Sequence, residues 1–327
     1  MIPVIAFGEA LVDMLSSRLG DDTTDGPETF TPYAGGAPAN VAVACARLGV
    51  PSRFLGMVGD DRFGRFLTAE MASHGVDTSG VVTTQEARTA LAFVSRDADG
   101  ERTFDFYRPP AADLLYRLEH LPAGVFAEPA IVHLCSNSLT EEAIAETTLA
   151  LADIARRSGS LVSVDANLRH TLWPGGQVDI GRVTALLDRA DLLKLSAEEV
   201  EALRGGHSVA AWLNQRFAAG VKLIVITDGG ADVAVHRLNQ RLAIAPPPVS
   251  PVDTTAGGDA FIGGLLAQLA EDAVTAGTFA DWCDDTARLE RAVDVACRCG
   301  AHAVTRPGAY AALPAKADLE RFRGEAK

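Results

Sequence analysis

Pro251-Val252-Asp253-Thr254-Thr255-Ala256-Gly257-Gly258-Asp259-Ala260-Phe261-Ile262-Gly263-Gly264 reads as a turn opening into a helix. Phe261, Leu265 and Leu269 recur at i, i+4 and i+8, with Ile262 and Leu266 beside them, the spacing of one helical face. Asp253, Thr254 and Thr255 are cap-type residues just ahead of it. A helix start leaves its first backbone N–H groups without partners and carries roughly half a positive charge. Adjacent glycines, Gly257 and Gly258, let an anion approach those N–H groups closely, because no side chain intervenes. Asp259 falls in the first turn, and side chains on a helix tilt toward its N-terminus. A carboxylate is thereby held beside an anion hole, a pairing that suits phosphoryl transfer: the hole stabilises the moving group and the Asp takes the hydroxyl proton. A tight turn followed by a carboxylate on the helix dipole explains the same residues.

The surrounding chain fits a globular protein with a proper core. Its 327 residues allow one large or two smaller domains, and 48% are hydrophobic. A formal charge of −14 argues against nucleic acid or an anionic membrane as partner. Any phosphate site must therefore work through local N–H groups, a metal and a few basic residues. Five cysteines (45, 135, 283, 297 and 299) lack metal-ligand spacing. They are expected to be free thiols in a reducing cytoplasm. Glu9 and Asp13 interrupt the apolar N-terminus and no basic segment precedes it, so no signal peptide is expected. No apolar run reaches the ~18 residues of a membrane span.

Ile2–Phe7 is a short apolar strand, and residues 16–33 form a polar, turn-rich excursion, the first edge of a small lid. Ala34-Gly35-Gly36-Ala37-Pro38-Ala39-Asn40 opens a small-residue helix that Gly49 ends. Arg53–Val58 is a strand. Val81-Val82, Ala90–Val94 and Arg102–Phe106 alternate apolar and polar around Asp99-Gly100, a hairpin signal, and read as lid strands. The lid is thus expected from segments near 14–34 and 79–110 of a single domain, 1–327. Beyond residue 130, strands at Ile131–Leu134, Leu161–Val164, Leu192–Leu195 and Leu223–Ile226 alternate with helices at 140–157, 181–190 and 198–204, and a strand pair follows at 231–236 and 241–245. Such alternation implies a mainly parallel sheet with right-handed crossovers. Ligands of these sheets bind outside the strand C-termini, where Asp165, Asn167, Arg169, Ser196, Glu199 and Thr227 fall. Pro246-Pro247-Pro248 reads as a rigid spacer.

The quoted stretch resembles the second signature of the ribokinase family (the PfkB carbohydrate kinases), D-T-x-G-A-G-D-x-F, with Ala256-Gly257 in place of Gly-Ala. Gly35-Gly36, Asn40 and the helix after them resemble the first signature, and Gly59-Asp60-Asp61-Arg62-Phe63-Gly64 resembles the family's G-x-D-x-x-G turn. The segments Thr89–Val94 and Gly100–Asp113 resemble the fructokinase branch, whose Phe-Tyr-Arg step points to Arg108 as a sugar ligand. Leu195-Ser196-Ala197-Glu198-Glu199 resembles the N-x-x-E motif with Ser for Asn, whose Glu acts on Mg²⁺ through water. Thr227-Asp228-Gly229 resembles a turn that touches nucleotide phosphates, with Asp232 where a further Gly is usual. Ala303-Val304-Thr305-Arg306-Pro307-Gly308-Ala309 resembles the segment that, with the carbonyls of Asp253 and Thr255, encloses a monovalent cation such as K⁺.

The resemblance spans Gly8 to Pro314 and implies a ribokinase-like three-layer α/β sandwich with a central mainly parallel sheet and a β lid. It implies an ATP-dependent, Mg²⁺-requiring kinase for a sugar's primary hydroxyl, most like fructokinase, and allows a homodimer through the lid. Asp259 would be the base, with the N–H groups of residues 256–259 (Ala256, Gly257, Gly258, Asp259) around the phosphoryl group. Asp13, Gly35, Gly36, Asn40, Arg108 and Arg169 would meet the substrate; Ser196, Thr227, Gly229 and Gly258 the nucleotide. Glu199 would serve Mg²⁺, and Asp253, Thr255, Ala303, Arg306 and Gly308 the monovalent cation. The rivals are a 2-keto-3-deoxygluconate kinase of the same fold and a silent sugar- or nucleotide-binding regulator, against which the intact Asp259 counts. A Rossmann dehydrogenase is rejected: no G-x-G-x-x-G follows the first strand.

Overall fold

Parallel strands buried on both faces must be apolar along their length, and the short runs of Val, Ile and Leu in this chain pair in that way. The computed structural model describes residues 1–18, 20, 27–96, 102–108 and 110–325. In chain order the first half holds β1 (Val4–Phe7), β2 (Leu11–Ser16), β3 (Phe30–Gly35), α1 (Ala37–Arg47), β4 (Ser52–Gly59), α2 (Arg62–Ser73), β5 (Asp77–Thr84), β6 (Leu91–Arg96), β7 (Arg102–Tyr107), β8 (Ile131–Cys135) and α3 (Glu142–Arg157). The second half adds β9 (Leu161–Asp165), α4 (Ile180–Leu187), β10 (Leu192–Ser196), α5 (Ala197–Leu203), α6 (Val209–Ala219), β11 (Leu223–Thr227), β12 (Val233–Arg237) and β13 (Gln240–Ile244). It closes with α7 (Gly257–Glu271), α8 (Phe279–Asp284), α9 (Thr286–Val304) and α10 (Lys316–Glu325).

Nine strands form the large sheet in the order β13-β12-β11-β10-β9-β8-β1-β4-β5. Pairing is parallel from β11 to β5, and β12 and β13 add an antiparallel edge. Successive side chains of a strand point to opposite faces, and here they divide the interior into two cores. Val4, Ala6, Phe54, Val58, Leu223 and Val225 face α1, α7 and α9. Ile5, Phe7, Leu55, Met57, Val132, Leu134 and Ile224 face the other helical layer, with Ile144, Val183 and Trp212. This is the expected three-layer α/β sandwich.

The lid is a separate four-stranded sheet, β3-β2-β6-β7. It contains β6 and β7 as an antiparallel pair, while the Asp99-Gly100 turn between them lies outside the described residues. One part of the expected lid belongs elsewhere. Val81 and Val82 lie in β5, which pairs with β4 at the edge of the large sheet. An edge strand has one face in solvent, so its sequence alternates as a lid strand's does.

Helix α7 owes its position to small residues. A Cβ on Gly263 would sit 2.5 Å from Ala44 Cβ of α1, and one on Gly264 would sit 2.7 Å from Cys299 Sγ of α9. The three helices therefore pack at a separation that any side chain would widen. All five cysteines are free, as expected from their spacing, and all five are buried.

Candidate active site

Helix α7 begins at the C-terminal ends of the strands, and its first turn is uncapped. Its N-cap residue, Ala256, makes no side-chain cap hydrogen bond. Asp253, which the sequence places as a cap, instead takes up the preceding turn: its Oδ1 accepts from Thr255 N at 3.1 Å and Thr255 Oγ1 at 2.6 Å, and its Oδ2 from Gly308 N at 2.7 Å. Of the N–H groups expected to form the anion hole, that of Gly257 already donates to Thr254 O at 3.2 Å. By position, Gly258 and Asp259 then present the open donors of the first turn.

Asp259 is buried, 6% exposed, and Asn40 Nδ2 donates to its Oδ2 at 2.7 Å. Burial raises its carboxyl pKa; the Asn40 hydrogen bond and the charges of Lys194 and Arg169 pull it back down. Asn40 reaches it from α1, whose entry turns on Gly36 at φ 104°. A Cβ at Gly36 would lie 2.6 Å from Glu9 O, so both the left-handed backbone and the close approach require glycine. Gly35 similarly leaves room for the Asp13 carboxylate.

Glu9, Leu11, Asp13, Gly36, Asn40, Asn137, Arg169, Thr255 and Asp259 surround one cavity, roofed by Phe104 and Phe106 of β7. It measures about 50 Å³. On the other side of α7's first turn lies a larger cavity of about 490 Å³, lined by Thr227, Gly229, Thr254, Gly257, Gly258 and Phe261, with Val233, Val304 and Pro246-Pro247-Pro248. The triple proline read as a spacer is thus a wall. That volume and apolar lining are typical of a small-molecule or cofactor site. The two cavities meet along residues 254–259.

A buried cation beneath that junction escaped the sequence reading. Lys194 interrupts the apolar strand β10, and its Nζ lies 2.9 and 3.2 Å from the two oxygens of Asp165 on β9. A Cβ on Gly258 would come within 2.9 Å of the same Nζ, so the ammonium lies directly under the anion hole. Burial pulls the Lys194 pKa down, but Asp165, Glu199 and Asp259 together raise it above its ordinary value. It therefore stays charged at neutral pH. Burial also pushes Asp165 up, against the pull of Lys194. The loop beyond β9 turns on Asn167, at φ 38°, with its N–H on Asp165 Oδ1.

Several expected site residues, among them Gly35, Arg108, Ser196, Glu199 and Ala256, line neither cavity. Arg108 has partners within the protein: its Nη2 is 2.6 Å from Asp113 Oδ2 with both side chains almost fully buried, and it also donates to Asn137 O at 2.9 Å. Its guanidinium holds the wall that carries Asn137, and it does not line the sugar-side cavity. Ser196 and Glu199 line neither cavity. They form a capping box on α5, with Ser196 N donating to Glu199 Oε2 at 2.7 Å and Glu199 N to Ser196 Oγ at 3.1 Å. Glu199 Oε1 also takes Leu168 N–H at 2.7 Å, which ties the ends of β9 and β10 together. Ala256 is buried at the N-cap.

The two segments expected around a monovalent cation are joined. Besides the Gly308–Asp253 bond, Val252 N and Asp253 N donate to Val304 O at 2.7 and 3.1 Å, while Arg306 N donates to Ala303 O at 3.1 Å within its own segment. Glu9 and Asn137 had no role in the sequence reading: Glu9 served there only to interrupt an apolar run, and Asn137 drew no comment.

A mainly parallel sheet with a separate β lid, and two cavities sharing one helix N-terminus beside a buried carboxylate, define a group-transfer enzyme of the kinase type. Comparison with known proteins specifies the class. The pattern of the pfkB family carbohydrate kinases matches residues 1–316. The chain is 38% identical over 317 residues to Fructokinase-1 of Oryza sativa subsp. japonica, covering 97% of this chain and 96% of that one. The structure of fructokinase with bound ATP from Xylella fastidiosa superposes with a TM-score of 0.93 at 41% identity, covering 99% of this chain and 98% of that one. Fructokinase from Vibrio cholerae O395, in a form binding fructose, ADP and calcium ion, gives 0.85 at 34% identity, covering 98% and 99%. The chain belongs to the pfkB family of carbohydrate kinases, and is an ATP-dependent sugar kinase of the fructokinase-like branch.

Proposed function

We propose that this chain transfers the terminal phosphoryl group of ATP to the primary hydroxyl of fructose, giving fructose 6-phosphate. The observation that carries the reading is the meeting of the two cavities along residues 254–259, with Asp259 in one and Gly257-Gly258 in the other. The sugar hydroxyl lies on the Asp259 side, and ATP fills the apolar cavity with its phosphates toward α7. Asp259 accepts the hydroxyl proton as the oxygen attacks, and its burial-raised pKa brings it toward the pH at which a base works best. The N–H groups of Gly258 and Asp259, the Lys194 ammonium and Arg169 stabilise the negative charge of the transferring group.

The cavity's charge separates fructose from 2-keto-3-deoxygluconate. Glu9, Asp13 and Asp259 line it, against Arg169. Arg108, the cation that could have met a sugar acid, is paired with Asp113. A substrate carboxylate would face like charges at a cost of several kcal/mol, whereas a neutral ketohexose pays no such penalty. Comparison of kcat/KM for fructose, ribose and 2-keto-3-deoxygluconate tests this. A ratio favouring the sugar acid overturns the assignment.

Glu199 offers hard oxygens fixed by two N–H donors at the strand ends, which fits a Mg²⁺ held through water. Among the described residues no group of three or more His, Cys, Asp or Glu could hold a metal by itself. The ion would thus take most of its ligands from phosphate and water, and it would neutralise charge on the ATP oxygens. The joined loops of Asp253, Thr255, Ala303, Arg306 and Gly308 support a monovalent-cation site such as one for K⁺. The lid face on which Phe93 packs edge-on against Phe30 and tilted against Tyr107, with Tyr107 61% exposed, supports a homodimer through the lid, which sedimentation of Tyr107→Glu tests. Five free buried thiols support a reducing cytoplasm as its compartment. No helix among the described residues is long and apolar enough to cross a membrane.

A further inference from the structure

Among the described residues, three that line the sugar-side cavity each keep one buried oxygen without a hydrogen-bond partner: Glu9 Oε2, Asn40 Oδ1 and Asn137 Oδ1. Their residues are 1%, 4% and 3% exposed, and all three line that cavity. The other end of each group is committed. Asn40 gives its amide N–H to Asp259, Asn137 gives its own to Glu9 Oε1 at 2.9 Å, and Glu9 Oε1 also takes Ala37 N–H at 3.3 Å. A carboxylate can only accept, so each amide must turn its NH₂ toward its carboxylate partner and present its oxygen elsewhere. These three groups therefore carry unmet acceptors and no free donor, in a cavity whose lining donors are Arg169 and Thr255. Buried acceptors are costly unless something donates to them. What satisfies such a wall is a row of hydroxyl groups, not a carboxylate or a phosphate.

We propose that Glu9 and Asn137, with Asn40, read the secondary hydroxyls of the sugar, and that Glu9 is the specificity-determining residue among them. This rests on the sugar-kinase reading of the cavity and adds the requirement that the substrate supply a hydroxyl donor to each of the three oxygens. Glu9 stands out for two reasons. Its acceptor is the carboxylate, whose hydrogen bonds are the stronger kind. It is also positioned twice over, by Asn137 on β8's exit and by the α1 entry at Ala37. Arg108 stands behind this pair: it donates to Asn137 O, and its charge lowers the Glu9 pKa that burial raises. The Arg of the lid segment thus supports the reading residues from the rear.

The test uses the full-length enzyme with ATP, fructose and each monodeoxy derivative that keeps the primary hydroxyl to be phosphorylated. Loss of one hydroxyl should lower kcat/KM about 10- to 100-fold where that hydroxyl meets a buried acceptor. In Glu9→Gln the penalty for one particular derivative should shrink to a few-fold, with KM for ATP unchanged. In Asn137→Ala the penalty for a different derivative should shrink. A Glu9→Gln enzyme that discriminates among the derivatives as the wild type does overturns the specificity role. If that variant does not fold, Asn137→Ala decides in its place: an unaltered pattern of penalties overturns the proposal. Should the wild type prefer another sugar to fructose, the fructose assignment fails, while the monodeoxy series of the preferred sugar still tests Glu9 and Asn137.

Discussion

Asn40 on α1 donates to Asp259 on α7 across 219 residues of sequence, at 2.7 Å, so the residue proposed to meet the sugar also acts on the carboxyl proposed as the base. Burial alone would leave Asp259 protonated to higher pH; a hydrogen bond to its charged form opposes that. The acid limb of kcat/KM should accordingly lie above the ordinary aspartate range. Asn40→Ala removes an interaction that favours the ionised carboxyl, so the limb should move to higher pH. Asp259→Asn should lose roughly 10²–10⁴ in kcat. A limb that stays in place in Asn40→Ala would show that this bond does not act on the base.

Lys194 is expected to act on the phosphoryl group, but its loss also strands Asp165. Breaking one side of a buried pair costs about 3–5 kcal/mol in stability, so Lys194→Met alone mixes two effects. The double variant Asp165→Asn, Lys194→Met removes both charges and should recover most of the stability. Its kcat should remain about 10²- to 10³-fold low, the loss typical of one electrostatic donor to a transition state. Near-normal turnover by a stable double variant would make the pair structural.

The order of strands and helices was legible because periodicity changes sharply from the apolar strands to the amphipathic helices. The proposed base and its glycines stood out in the sequence because a helix start needs special residues. Other parts of the site left fainter signals. Lys194 stands in Leu-Leu-Lys-Leu, a strand buried in a parallel sheet, where a charge must have a partner; the pattern marks the anomaly but not Asp165 across the sheet. Glu9 and Asn137 follow the strands β1 and β8, which lie side by side though 128 residues separate the two side chains. Only strand order brings such residues together. For Arg108, a basic residue on a loop carries no sign of whether its partner is a ligand or, as in this structure, a carboxylate five positions on.

The buried pairing of Arg108 with Asp113 changes what Arg108→Ala should do. Two carboxylates, Asp113 and Glu9, would lose the charge beside them, and an uncompensated buried charge costs about 3–5 kcal/mol. Thermal unfolding should fall by several degrees, sugar KM should rise through the displaced Glu9 and Asn137, and KM for ATP should hold. A variant as stable as the wild type with only sugar KM raised would place the guanidinium on the sugar itself.

Glu199 and Glu198 are neighbours with opposite orientations, and this makes a controlled test of the metal. One residue of helix turns the side chain by about 100°: Glu198 is exposed, while Glu199 folds back onto Ser196 N and Leu168 N. Glu199→Gln keeps an oxygen for one of those N–H groups but removes the charge that a hydrated Mg²⁺ would feel. Titration of Mg²⁺ at saturating fructose should therefore show a midpoint raised several-fold in Glu199→Gln. Sugar KM should be little altered, because Glu199 does not line the sugar-side cavity. Glu198→Gln should match the wild type. Loss of the capping interaction is a separate effect, and it would lower thermal stability equally with and without Mg²⁺. If Glu198→Gln shifts the midpoint and Glu199→Gln does not, the carboxylate that serves the metal is the exposed one, and Glu199 is only the clasp between β9 and β10.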